Sequence, residues 1–388
     1  MDMDDAGARD APTDRVRVEE PYRLIADPAQ APHWWPRRPA DPRHSAAWAS
    51  GSRRGGTERF LGAESGPALW VRLLDSPNPP RRMDAVAVCA GRPAGLPADE
   101  QIERAAAMAC GTQFVLAANG YCSPLISAEP TVDGKQLREL VSCALAAARS
   151  VDAVPVALHC PPGDPLLAAL AEFGFVFGQT DLYAVLEPVG DGLDDFLAAQ
   201  SRRRRKTIRE EMGALAQRGA GSVLTGAQAA PSIRVAARLV ASAYAQRGQH
   251  IAPEEVEGVY RGLLAGHGDD FLLALVEYEG ETVASTCLLQ GGDALLGYSA
   301  GLRHPETRHV AGYFNAAYYA PLRHAYEHGL SRILLGPGNR ETKRLRGARF
   351  LPLVSAVPAD CAPLVELLRE TDLRTRVQLS EYEEHAPA

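Results

Sequence analysis

The sequence predicts an α/β chain of the α+β kind, divided into two domains. Three observations lead there. Its 388 residues exceed what one ordinary hydrophobic core holds. Strand-like and helix-like patterns alternate from about residue 60 to 188. From about 231 to 300, helices give way to three strands of alternating period separated by Gly-bearing turns. A hydrophobic content of 46% with 23% charged residues suits a soluble globular protein.

Residues 1–55 are rich in Pro, Asp, Arg and Ala, interrupted by His33-Trp34-Trp35-Pro36. They predict a disordered or loosely docked arm. A first domain is expected over 56–190. Ala68 to Leu74 and Ala85 to Cys89 read as strands, and Asp99 to Cys110 as a helix. Phe114 to Ala118 reads as a strand running on irregularly toward Ile126. Gly134 to Arg149 is a helix with Leu137, Leu140, Val141 and Leu145 on one face. Val154 to His159 is a strand, Pro165 to Phe173 a helix stopped by Gly174, and Phe175 to Leu186 a strand. No Gly-rich phosphate loop or clustered acid, base and nucleophile stands out in this half.

A second domain is expected over 191–375. One helix of about 192–218 opens it and stops at Gly219 to Gly221. Further helices follow over about 231–247 and 253–265. The strands Phe271 to Tyr278, Thr282 to Gln290 and Ala294 to Ala300 form an antiparallel meander. A helix of about 309–328, kinked by Pro321, a strand from Ile333 to Gly336 and a helical stretch over 362–370 complete the domain. Residues 376–388 read as an acidic tail.

Arg202 to Lys206 form a run of five basic residues inside the helical pattern. Ile208, Met212 and Leu215 mark the apolar stripe, and Arg204 and Arg205 fall three and four residues before Ile208. An inward guanidinium keeps its charge and needs an anionic partner, either a carboxylate of the chain or a phosphate of a ligand. A solvated, charge-rich helix is the plainer reading. The net charge of −7 argues against a general nucleic-acid coat and leaves a local phosphate site open. The seven cysteines are scattered, with no Cys-x-x-Cys pair, so they suggest neither a zinc site nor a disulfide framework, and a reducing cytoplasm is expected. No signal peptide and no membrane span are expected.

Three motifs come in one order between about 200 and 352: Arg203-Arg204-Arg205-Lys206-Thr207-Ile208-Arg209, the pair Tyr318-Tyr319 on an aromatic helix, and Glu341-Thr342-Lys343-Arg344-Leu345-Arg346-Gly347 after the last core strand. In them the chain resembles the double-GNAT (GCN5-related N-acetyltransferase) proteins of the Fem type and the related peptidoglycan biosynthesis/recognition family. Over 60–190 only the order of strands and helices supports a first GNAT-like domain. The resemblance implies two tandem GNAT-like domains, each a mixed, mostly antiparallel sheet flanked by helices.

The chain departs from the family where Asn315 stands in place of the usual Glu. It departs from acetyl-CoA-binding GNATs in Arg308-His309-Val310-Ala311-Gly312-Tyr313. There Ala311 and Tyr313 replace small residues, so a diphosphate could approach the backbone less closely. Fem-type enzymes have a similarly degraded loop. The resemblance thus implies aminoacyl-tRNA as donor, an amine as acceptor, on a small molecule or a cell-wall precursor, and no cofactor or metal. Antibiotic pathways and peptidoglycan precursors are both compatible with it. An acyl-CoA-dependent N-acyltransferase and a non-catalytic protein binding RNA or a phosphorylated ligand are the alternatives.

Acyl transfer to an amine needs orientation, a proton acceptor and stabilisation of the oxyanion. In the GNAT arrangement Tyr298 would donate to the oxyanion or the leaving oxygen, or be an ordinary strand tyrosine. Lys343 would offset charge on the oxyanion or a phosphate, or be a surface lysine. Glu341 would accept the proton or, preferably, orient Lys343 or Arg346. His304 is a second candidate base. Asn315, Tyr319 and Arg346 would contact the substrate, although the tyrosine pair also suits helix packing. Arg202, Arg203, Arg204, Arg205, Lys206 and Arg209 would face phosphates. No covalent intermediate is expected.

Overall fold

The structure is a computed structural model that describes residues 16–25, 42–44, 59–74, 83–91, 100–118, 121–127, 129, 131–216, 219–246, 248–303 and 310–384. The strands are β1 (Arg23–Ile25), β2 (Arg59–Gly62), β3 (Ala68–Leu74), β4 (Gln113–Leu116), β5 (Leu125–Ile126), β6 (Val154–Cys160) and β7 (Phe175–Leu186), then β8 (Gly219–Thr225), β9 (Phe271–Tyr278), β10 (Glu281–Gly291), β11 (Ala294–Leu302), β12 (Arg332–Gly336) and β13 (Arg349–Pro358). Among the described residues they form one sheet in the order β1-β2-β3-β4-β6-β13-β7-β12-β11-β10-β9-β8, with β5 beside β3. Among these strands only the pairs β4–β6 and β11–β12 are parallel, so the sheet is mixed and mostly antiparallel, as the resemblance implies.

Helices cover both faces. Over the first half, Gly134–Arg149 and Pro165–Glu172 pack on one side through Leu140, Val141, Ala144, Leu166 and Leu170. Ala85–Cys89, Glu100–Cys110 and Ala362–Glu384 pack on the other through Val88, Ala106 and Leu368. Over the second half, Ile233–Ala245 and Pro253–His267 cover one face. Leu193–Ala199, Arg202–Ala216 and the helical run beginning at Gly312 cover the other. One apolar cluster reaches from Phe60 and Trp70 through Tyr183 and Leu353 to Val240 and Tyr260, so the two halves share a core.

Several elements differ from the sequence expectation. Ala85–Cys89 is a helix, not a strand. Its β-branched run is overridden by Asp84, which accepts a bond from the Val86 amide, and by Gln113, whose Oε1 accepts from the Ala85 amide at 2.9 Å. The expected single helix over 192–218 is two helices, broken where Gln200 turns extended with ψ 151°. The Gly-rich stop after it is strand β8, held at the sheet edge by pairing with β9. Pro321 does not simply kink its helix. Gly312–Phe314 leads into a π-helical turn, Asn315–Tyr319, and then into Ala320–Glu327. The wider turn accommodates a residue that has no N–H to offer the preceding turn.

β13 escaped the sequence reading altogether. It lies between β6 and β7 and pairs with β7 from Arg349↔Val185 to Pro358↔Phe175. The following helix runs to Glu384, well into the stretch expected as a tail. Residues 349–384 thus complete the first half of the sheet. Most of the expected N-terminal arm, including Trp34 and Trp35, lies outside the described residues, while β1 pairs with β2. No described helix is long and apolar enough to cross a membrane.

Candidate functional site

The site forms where β11 parts from β12. Their parallel pairing covers only Ala294↔Arg332 to Leu296↔Leu334. From Gly297 onward β11 stays paired to β10 alone. Between Cys287 and Leu288 of β10 the partner on β11 jumps from Ser299 to Gly297, so Tyr298 is the extra residue of a bulge. The bulge swings Tyr298 out of the ladder. Its half-buried ring packs edge-on against Tyr260, with centroids 6.3 Å apart. Tyr260 and Ser299 share a 2.6 Å hydroxyl–hydroxyl hydrogen bond, which fixes the strand beside it.

Beneath the splay begins the helical run, entered through Ala311 in a left-handed conformation at φ 50°. Arg308 and His309 of the loop before it lie outside the described residues, as does the candidate base His304. Asn315 is buried and donates through Nδ2 to the carbonyls of Glu211, at 3.0 Å, and of Ala311, at 3.2 Å. It ties the π turn to the arginine helix and is committed to backbone.

Glu211 is the hub that the sequence reading missed. One carboxylate oxygen pairs with Arg346 and the other accepts from the Tyr319 hydroxyl. Arg346 is 7% exposed at its side chain, and its Cζ sits 3.4 Å from the centre of the Phe314 ring. Burial and this carboxylate push the Tyr319 phenol up, so it stays a donor. Glu211 was legible in principle. It lies three residues after Ile208 and four before Leu215, on the buried stripe of its helix.

The Arg340–Arg344 helix supplies a second group of charges. Lys343 is 6% exposed, not a surface lysine, and its Nζ donates to the carbonyls of Leu335 and Gly336, each at 2.7 Å. Burial pulls its pKa down to about 7, with Asp181 opposing the shift and Arg340 adding to it. Arg340 pairs with Asp181 and donates to Gln378 at 2.6 Å. Glu341, expected to orient Lys343 or Arg346, bonds to Arg344, one turn along, at 2.7 and 2.6 Å. Gly347 ends the segment at φ 88°, where an added Cβ would lie 2.8 Å from the Gln200 amide.

The arginine block divides. Arg204 turns inward, 8% exposed. Burial and the nearby Arg344 guanidinium lower its pKa, against Glu341. Arg205 is half-buried and donates to the Ala198 carbonyl at 3.3 Å. Arg202, Arg203, Lys206 and Arg209 are exposed. Arg202, Arg205, Lys206 and Arg209, with Glu210, line an open cleft of about 540 Å³. Of the residues named from sequence, the structure thus joins Asn315, Tyr319 and Arg346 through Glu211. It sets Lys343 and Glu341 on the neighbouring short helix, and leaves the basic cleft at the N-terminal end of the arginine helix.

Residues 202–344 match the family model of the acetyltransferase (GNAT) domain. No curated protein sequence is similar enough to the chain to match it. Among solved structures, the crystal structure of FemX is similar over 84% of this chain and 93% of its own, at 13% identity and a TM-score of 0.55. L-PGS from Bacillus licheniformis is similar over 81% of this chain and 90% of its own, at 12% identity and a TM-score of 0.51. At these identities the likeness concerns the fold. The protein is an acyltransferase with a GNAT domain at residues 202–344, and its fold across the chain is like that of FemX.

Proposed function

We propose that this protein is an aminoacyltransferase that moves an aminoacyl group from aminoacyl-tRNA to the amine of a small molecule or a cell-wall precursor. The observation that carries the reading is the basic cleft lined by Arg202, Arg205, Lys206 and Arg209, on the helix that also builds the floor of the splayed-strand site through Glu211. Four cations around one open cleft suit a run of phosphates. A nucleic-acid backbone offers such a run, and the aminoacyl end then extends toward β11.

In the reaction the amine lone pair attacks the ester carbonyl. A C–N bond forms, the C–O bond to the terminal ribose breaks, and the amine proton ends on the ribose oxygen. Tyr298, displaced from the ladder by the bulge, donates to the oxyanion or to the departing oxygen. Arg346, Tyr319 and Asn315 are held by Glu211 and shape the floor. Lys343 is a positioning residue that fixes the end of β12 through two carbonyls.

The test is direct. The purified full-length chain is mixed with radiolabelled aminoacyl-tRNAs and candidate amines, and transfer is expected for at least one pair. Absence of transfer with every aminoacyl-tRNA, combined with turnover of an acyl-CoA, refutes the proposal and supports the CoA-dependent reading. That second reading is favoured by the acetyltransferase family match and by the free flank of β11 beyond Leu296.

A further inference from the structure

We propose that His324, Glu327 and His328 form a binding site for a first-row divalent cation of the zinc, cobalt or nickel class, at the end of the second half remote from the splay. The proposal is independent of the acyl-transfer reading. The spacing His324-Ala325-Tyr326-Glu327-His328 puts all three side chains on one helix face, since residues three and four apart are neighbours. Zinc sites use the same device, with two imidazoles one helical turn apart.

One ligand atom from each of the three residues lies within 4.8 Å of the other two. Two nitrogens on one tetrahedral zinc sit roughly 3.3 Å apart, given bonds near 2.0–2.1 Å. A small side-chain rotation closes that difference. The imidazole rings are stacked, with centroids 3.9 Å apart and planes 22° apart; ring lone pairs lie in the ring planes, so the cation binds at the edge of the stack and the rings tilt about it.

The surrounding hydrogen bonds prepare the ligands. His328 Nδ1 lies 2.9 Å from the His324 carbonyl, which can only accept, so the proton is on Nδ1 and the Nε2 lone pair faces outward. His324 Nε2 lies 3.4 Å from Gln290 Oε1, an arrangement that leaves Nδ1 as the acceptor. Metal-binding histidines are characteristically held this way, by a bond from the other ring nitrogen. The carbonyl-bearing end of the Ala320–Glu327 helix adds favourable potential for a cation. Arg323 is the competing cation, close enough to feel the Glu327 carboxylate.

Two imidazoles and one carboxylate leave a fourth position for water. The softness of this set favours zinc, cobalt or nickel over magnesium or calcium. Occupancy would stiffen the last helical turn. That turn carries Tyr326, whose hydroxyl donates to the Val189 carbonyl and accepts from its amide, both at 2.9 Å, in the link between β7 and the second half.

The experiment uses the full chain stripped with chelator and titrated separately with Zn²⁺, Co²⁺ and Ni²⁺ by calorimetry, with thermal unfolding and the Co²⁺ visible spectrum in parallel. One ion per chain is expected, with a rise in Tm and no thiolate charge-transfer band. His328→Ala and Glu327→Gln change exposed side chains, so both are expected to fold. His328→Ala should weaken binding at least tenfold and abolish the Tm rise. Gln290→Leu, which removes the bond to His324, should weaken it by about 10–100-fold. Undiminished binding in His328→Ala, a thiolate band with Co²⁺, or no uptake of any of the three ions overturns the proposal.

Discussion

Lys343→Met gives the sharpest test of how the 340–344 segment is held. The ammonium is 6% exposed and its pKa is pulled from 10.5 to about 7, chiefly by burial. Methionine fills a similar volume and does not titrate. It leaves the Leu335 and Gly336 carbonyls without their donor, a pH-independent loss of about 1–3 kcal/mol. The pH-dependent part has a fixed sign. Below pH 7 the lysine is protonated both folded and unfolded, so folding bears the full cost of burying the charge. Between pH 7 and 10.5 the unfolded chain binds the proton and the folded chain does not, so wild-type stability rises with pH.

Each pH unit inside that window is worth about 1.4 kcal/mol. From pH 7.5 to 9.5, the stability of wild type relative to Lys343→Met should therefore increase by about 2–3 kcal/mol. Urea unfolding followed by tryptophan fluorescence, at half-unit pH steps and constant ionic strength, measures the difference directly. Groups common to both proteins cancel. A difference that stays flat, or falls, as the pH rises would refute the argument and place a charged ammonium at those two carbonyls throughout.

Removing Glu211 should be severe. Glu211→Ala leaves the Arg346 guanidinium buried without its carboxylate and the Tyr319 hydroxyl without its acceptor, a cost of about 3–5 kcal/mol. In a double-mutant cycle with Arg346→Met the coupling should exceed about 1 kcal/mol, and additivity within about 0.5 kcal/mol would count against the network. Gly347→Ala forces a side chain onto a left-handed backbone and against the Gln200 amide, for a loss of about 1–3 kcal/mol, of which Gln200→Ala should recover only the steric share. Tyr298→Phe should lower kcat about tenfold or more while Tm stays within about 2 °C, and an unchanged kcat would remove Tyr298 from the chemistry. Arg202→Glu combined with Arg205→Glu should weaken tRNA binding and flatten its salt dependence, and an unchanged salt slope would move the phosphate site elsewhere.

The elements legible in the sequence are those whose own periodicity specifies them. Gly134–Arg149, Phe175–Leu186 and Phe271–Tyr278 begin and end where their patterns do. Elements specified by partners were hidden. Gly219–Thr225 carries too much glycine to read as a strand until β9 lies beside it. Ala85–Cys89 spells a strand but is capped as a helix by Asp84 and Gln113. The site shows the same division. Its cations were visible as a run, and Arg346 as part of a motif. Their assignments depended on contacts far apart in sequence, such as Arg346 with Glu211 and Arg340 with Asp181. The four-residue spacing of His324 and His328 is visible in the sequence, but such a pair points to a metal only with Glu327 and Gln290 seen beside it.

The place of β13 bears on how the polypeptide matures during synthesis. β6 and β7 leave the ribosome before the strand that joins them, which is made only after β8 to β12. Until residues 349–358 emerge, both present open backbone edges to whatever strand is nearby, which is the condition under which sheets pair with the wrong neighbour. A nascent chain of this protein must therefore wait, with its first half incomplete, for residues 349–358 to arrive and close the gap.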